Sequence, residues 1–301
     1  MSDISSKAAM KKALLAVIFA ALVGGGIPVM GKISLVIVPP TVFTFLRFLI
    51  ATLCMAPFAL PLPKIDRGLF VKILLVCLFA TLNVTLFPFG IRLTTATIGQ
   101  LLYAAAPIVI LILSHRFLKE EITRKKIIGI GTGLFGVVIL VLLPVIDKGS
   151  LYAGTLLGNV IIFTALVSFS FYSTLSKQYQ KYATPVQLTF IFALLTTLLI
   201  FPIALREHIQ NPVWITKLSI SPIIGVLYVG VLGGAAYYLA YQYAIKKGGT
   251  VIASLTLFIQ PLATYVWALI LLNEKLIPGV IVGAVFTILG AKIVTQRERK
   301  V

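Results

Sequence analysis

Apolar residues in this chain fall in long runs separated by short charged gaps. Between Lys12 and Lys32 lie nineteen residues with no charge, and a helix of that length rises about 28 Å, close to the roughly 30 Å of bilayer hydrocarbon. Comparable runs predict ten membrane-spanning helices, at about 13–31, 39–61, 70–91, 94–115, 126–146, 152–175, 185–205, 219–244, 249–272 and 277–295. The expected fold is an all-α integral membrane protein.

One run occurs twice. Residues 96–121 read ATIGQLLYAAAPIVILILSHRFLKEE and residues 250–275 read TVIASLTLFIQPLATYVWALILLNEK. An offset of 154 superimposes Pro107 on Pro261, Glu120 on Glu274, Arg92 on Lys246, Gly129 on Gly283 and Gly136 on Gly290. A weaker match at an offset of 145 lays PTVFTFLRF (40–48) on PVQLTFIFA (185–193) and Pro57 on Pro202. The change of offset implies nine extra residues in the second half, most simply in the loop HIQNPVWITKLS. The chain therefore divides into two repeats, 1–148 and 149–301. Five spans per repeat is an odd number, so the second repeat enters the membrane from the opposite side. Such inverted-topology five-helix repeats are the construction of alternating-access carriers.

Composition agrees, with 59% hydrophobic and 11% charged residues and a mean hydropathy of +1.08. The net charge of +18 raises the question of nucleic acid, but the cations sit between the runs. Nineteen of the 26 Lys and Arg fall on one side of the predicted topology, six on the other, and Arg47 lies inside a span. That asymmetry places both termini in the cytoplasm and makes the basic charge topological, not a nucleic-acid footprint. The first apolar run exceeds the core of a secretory signal and lacks a small-residue cleavage site, so it is read as a retained helix. Cys54 and Cys77 fall within spans and are read as packing. No metal or cofactor is implied.

Polar groups at membrane depth are costly unless they bind a partner or line water. Asn83 lies near the middle of span 3. Gln100 and Tyr103 are three residues apart in span 4 and share a face that continues to Pro107, and the repeat brings Gln260 beside Pro261 in span 9. Span 8 carries Tyr237 and Tyr241 on one face, with Tyr238 and Gln242 on the next. Asn83, Gln100, Tyr103, Tyr237, Tyr241 and Gln260 are the candidate solute-binding residues. For Tyr241 and Tyr243 an interfacial belt is the alternative, and Thr81, Thr85, Thr164 and Ser168 are expected to bond back to their own helices. Pro107 and Pro261, each removing a hydrogen bond inside a helix, are the candidate hinges. Glu120 and Glu274 end their spans beside Lys119 and Lys275, so they are expected to anchor helix ends, with gating as the alternative.

The ten spans, the duplicated run ending in Pro then Glu, and the Phe-Leu-Arg-Phe around Arg47 resemble the drug/metabolite transporter superfamily, specifically its EamA-type ten-helix members. The resemblance implies an inner-membrane carrier of a prokaryote, commonly an exporter of amino acids or other small metabolites. It implies a cavity lined by helices 1, 3, 4, 6, 8 and 9, with helices 5 and 10 packed together at the periphery. Arg47 could snorkel, bond the carbonyls of a neighbouring helix or attract an anionic substrate; since the resemblance sets helix 2 beside that cavity, a structural or gating role is expected. Gly129, Gly133 and Gly136 in helix 5 and Gly279 and Gly283 in helix 10 have the small-residue spacing of close helix contacts. That seam is either internal to a monomer or the interface of a homodimer.

Three functions follow for weighing. The leading expectation is a carrier of small neutral or zwitterionic metabolites, because the candidate cavity is rich in amides and tyrosines and poor in charge. The alternative is a carrier of phosphorylated or nucleotide-linked solutes, for which only Arg47 is available as a clamp. An enzyme is disfavoured, because no His, Asp or Glu cluster lies at depth. With no Asp or Glu in mid-membrane, uncoupled facilitation or exchange is expected over proton coupling.

Overall fold

In hydrocarbon no water is available to a backbone amide, so apolar runs of this length satisfy themselves as helices. The computed structural model describes residues 2–93, 102–103, 105–147, 155–272 and 278–295, and among them there is no strand. In chain order the helices are α1 (Ser2–Leu35), α2 (Pro40–Ala59), α3 (Arg67–Leu93), α4 (Ala106–Leu118) and α5 (Arg124–Asp147). They continue as α6 (Leu156–Tyr179), α7 (Pro185–Gln210), α8 (Ile220–Gly248), α9 (Thr250–Ser254, resuming as Thr256–Leu272) and α10 (Pro278–Thr295). Among the described residues seven of these, α1, α2, α3, α6, α7, α8 and α9, are long and apolar enough to cross a membrane.

Local chemistry sets the ends. Pro40 occupies the first turn of α2, where its missing N–H breaks no bond. Thr184 and Gln187 form a reciprocal capping box at the start of α7, and the Thr155 hydroxyl accepts from the Gly158 amide at the start of α6. Between α8 and α9 the chain turns at Gly249 with φ 88°, a conformation that favours glycine.

Two helices depart from the expected picture. Pro107 stands at the second position of α4, not inside a longer helix, and Ala105 N–H bonds back three residues to the Leu102 carbonyl at 2.9 Å. A proline in a first turn removes no helical bond, which is why the helix begins there. The second is α8, whose middle, Val229–Ala236, is a π-helix. Gly230 and Gly234 in that segment face α2: a Cβ on either would lie 2.8 Å from Ile50 or Ala51 Cβ.

The pairing of helices follows the glycines and the shared polar groups. Along α5 and α10, Gly129 meets Gly290 and Val294, while Gly136 meets Gly283 and Thr287. Numbers rise on one helix as they fall on the other, so the two are antiparallel and the glycine seam lies within the chain. Helix α2 runs antiparallel to α7 in the same way, through Phe45–Phe201 (5.5 Å) and the Thr52–Thr197 hydroxyl pair (3.2 Å). Helices α3 and α6 form a third pair, and α1 packs against α8 and α9. Phe48, Phe192, Tyr172, Tyr241 and Phe258 fill the centre, whereas Leu15, Phe19, Leu75, Leu198 and Ile270 point outward. So apolar an exterior suits lipid and not water.

Candidate functional site

Three prolines shape the middle of the bundle. Pro28 in α1, Pro88 in α3 and Pro261 in α9 each lack the amide hydrogen that would bond four residues back. The carbonyls of Gly24, Val84 and Leu257 are thereby left without a helical donor. All three prolines, with Val84 and Leu257, line one cavity of about 150 Å³. Gln260 Nε2 takes up the free Gly24 carbonyl at 3.2 Å, while Gln260 Oε1 is buried without a partner among the described residues. Glycine at position 24 allows this, since a Cβ there would lie 2.8 Å from the Tyr237 ring.

On the opposite wall Asn83 Nδ2 donates to the Ala165 carbonyl at 2.8 Å and to the Tyr103 hydroxyl. The Tyr103 oxygen is thus an acceptor, leaving its own proton for the cavity, and Phe87 packs edge-on against its ring at 5.1 Å. Helix α2 contributes Phe43, Thr44 and Arg47 to the wall. Arg47 Nη2 donates to the Gly233 carbonyl of the π segment at 3.1 Å, and its Cζ lies 5.1 Å from the Phe48 ring centroid. Its Nε is buried and without a partner among the described residues. Tyr237 and Tyr238 of α8 and Phe169 of α6 complete the lining.

Beyond the cavity, toward the C-terminal ends of α6 and α8, polar groups tie the helices together. Tyr241 and Ser173 share a hydrogen bond of 2.8 Å. Gln180 Nε2 donates to the Gln242 side-chain oxygen at 2.6 Å and to its carbonyl at 2.8 Å, and Gln242 Nε2 donates to Ser176 Oγ at 3.1 Å. Lys177 Nζ donates to the Ile245 carbonyl at 2.8 Å, and Ser114 pairs with Thr250 at 2.6 Å between α4 and α9.

The structure therefore brings Arg47, Asn83, Tyr103, Tyr237, Gln260 and Pro261 to one cavity. Tyr241 is not on that wall; it is buried in the layer beyond, which also removes it from any interfacial belt. Pro107 is buried at the start of α4, outside the lining. Glu120 follows the α4 terminus, where Lys119 takes a left-handed φ of 57°, and lies within electrostatic reach of Lys177. Gln100 and Glu274 lie outside the described residues. Thr164 bonds back to Val160 as expected, but Thr81 crosses to Thr196 at 2.8 Å and Thr85 finds no partner among the described residues.

Sequence reasoning missed the contribution of α2 and the aromatic residues Phe43, Phe87 and Phe169. A signal was available, since positions 43, 44 and 47 share a helical face and Phe87 follows Asn83 by one turn.

Comparison with known proteins bears on what this cavity serves. The EamA-like transporter family model matches residues 11–142 and again residues 156–296. An uncharacterized transporter of Clostridium kluyveri is 26% identical over 263 residues, covering 84% of this chain and 82% of the relative. A WAT1-related chloroplastic protein of Arabidopsis thaliana is 26% identical over 231 residues, 74% of this chain and 55% of its own. One crystal structure superposes with a TM-score of 0.76 at 17% identity, covering 94% of this chain and 98% of that one, so the arrangement of helices is shared.

Proposed function

The chain belongs to the EamA-like transporter family, and on that footing we propose that it is a secondary carrier of small neutral or zwitterionic metabolites, such as amino acids or amines. It acts as an exporter or facilitator across the inner membrane of a prokaryote, with both termini in the cytoplasm. The observation that carries this reading is the cavity wall: two amides, tyrosines, phenylalanines and a single guanidinium, with no carboxylate among its described residues. Such a wall suits polar solutes of low net charge.

The architecture assigned is ten spans in two inverted five-helix repeats. Support comes from the family model matching twice. It comes also from the Thr52–Thr197 contact, which joins positions 145 apart, the offset of the sequence match. The antiparallel α2–α7 and α5–α10 pairs are what a two-fold axis in the membrane plane would generate. With α5 and α10 joined through their own glycines, a homodimer there would have to use the remaining faces of both. Alternating access then means parting the polar layer between α6 and α8 while the opposite mouth closes, with Pro261 inside α9 as one hinge, the start of α4 at Pro107 as the other, and Glu120 and Glu274 anchoring the helix ends.

Uptake into proteoliposomes of radiolabelled amino acids, amines, neutral solutes and sugar phosphates, with and without a pH gradient, tests this reading. Saturable flux of neutral or zwitterionic solutes, indifferent to the gradient and lost in Gln260→Ala and Tyr103→Ala, is the expected result. Flux confined to phosphorylated solutes, the second reading that Arg47 in the wall keeps open, would overturn it.

A further inference from the structure

Arg47 is the one formal charge in the cavity wall among the described residues. A guanidinium held in hydrocarbon is costly unless something compensates its charge. What surrounds it does so only in part. Its Nη2 bonds the Gly233 carbonyl, the Phe48 ring lies 5.1 Å from its Cζ, and Tyr237 and Tyr238 of α8 share its cavity wall. No carboxylate among the described residues pairs with it, and its Nε is unpartnered. Holding the π segment needs one N–H donor, which a neutral amide could supply, so the positive charge is surplus to that structural task.

We infer that Arg47 is the carboxylate-recognition residue of this carrier, and that its solutes are organic monocarboxylates, amino acids included. This rests on the reading above and narrows it to solutes that bear a carboxylate, dropping the amines and adding simple monocarboxylates. The Nη2 contact orients the guanidinium, and its Nε, buried and unpartnered in this conformation, becomes the donor to a carboxylate oxygen when a solute enters. Gln260 lines the same cavity, and its buried, unpartnered Oε1 then accepts from an ammonium or amide N–H of the solute. Phe43, Phe87 and Phe169 offer the apolar wall for the rest of the molecule. One guanidinium with a donor already committed matches a monoanionic group; a phosphate dianion would keep uncompensated charge in the cavity. A free amine without a carboxylate meets the same positive field and is repelled.

Three radiolabelled probes sharing one apolar body separate these outcomes in proteoliposomes: phenylalanine, 3-phenylpropionate and phenethylamine. Wild type is expected to carry the two carboxylates at least about tenfold faster than the amine, the scale of one hydrogen bond to a charged group. Arg47→Lys, which keeps the charge, should retain the preference, and Arg47→Gln should bring the three probes within about twofold of one another, the residue of a lost charged contact. Equal carriage of amine and carboxylates by wild type, or a preference that survives in Arg47→Gln, would overturn the inference. If Arg47→Gln does not reconstitute, the wild-type ranking alone decides. Flux of neutral solutes without a carboxylate preference sinks this inference and leaves the carrier reading standing, whereas no flux of any solute sinks both.

Discussion

Asn83 uses its Nδ2 twice inside the protein, on the Tyr103 oxygen and on the Ala165 carbonyl. Replacing it by leucine leaves both acceptors without their donor, at a cost of about 1–3 kcal/mol. Thermal unfolding of Asn83→Leu in detergent should show that loss, and Tyr103→Phe should then reduce flux less in the variant than in wild type, because Tyr103 has already lost its orientation. That Asn83, Tyr103 and Gln260 would line a cavity was legible because a buried amide or phenol needs partners and the chain places few of them at mid-depth. Tyr241 obeys the same rule and does not line that cavity. Its partner is Ser173, 68 positions away, and nothing local to either residue announces that pairing.

At the scale of the element, α8 is where local reasoning stops. Its apolar run predicts a helix, and a helix forms, but the π segment from Val229 to Ala236 depends on how near α2 comes. Gly234 and Gly230 admit α2, and Arg47 then reaches the Gly233 carbonyl. Gly234→Leu should overpack that contact and destabilise by about 1–3 kcal/mol, lowering both the unfolding temperature and the flux. Gly131→Ala is the control: it is exposed and a Cβ there meets nothing within 4 Å, so its unfolding temperature should be unchanged or slightly higher. The prolines divide along the same line. Pro28, Pro88 and Pro261 free carbonyls at the cavity, whereas Pro107 begins a helix, and the distinction rests on where each helix starts.

Across the whole molecule, hydrogen bonds tie α6 to α8 beyond the cavity, and the alternating access proposed above would need that layer to part. Ser176→Cys with Gln242→Cys, in a background of Cys54→Ser and Cys77→Ala, joins the two helices at a point where Gln242 Nε2 donates to Ser176 Oγ at 3.1 Å. Oxidation should abolish flux and reduction should restore it; flux that continues through the oxidised protein would show that this layer does not open. The duplication was visible in the chain, as was the small-residue spacing on α5 and α10. That α5 and α10 meet through their glycines inside one copy became visible only once both helices were placed.

The amino-acid sequence by itself determined that this chain is a membrane protein of long helices, written twice, with a handful of polar groups at depth. Those properties are local: hydrophobicity over one run decides insertion, and proline and glycine act within a turn of where they stand. Which polar groups face a common space was decided by tertiary structure. Gln260 reaches Gly24 across 236 positions and Arg47 reaches Gly233 across 186, and such contacts depend on the approach of helices whose packing no single stretch encodes. Arg47 is the clearest case, because its position in a span could be read from the chain, while its place on the cavity wall required α2 and α8 to come together.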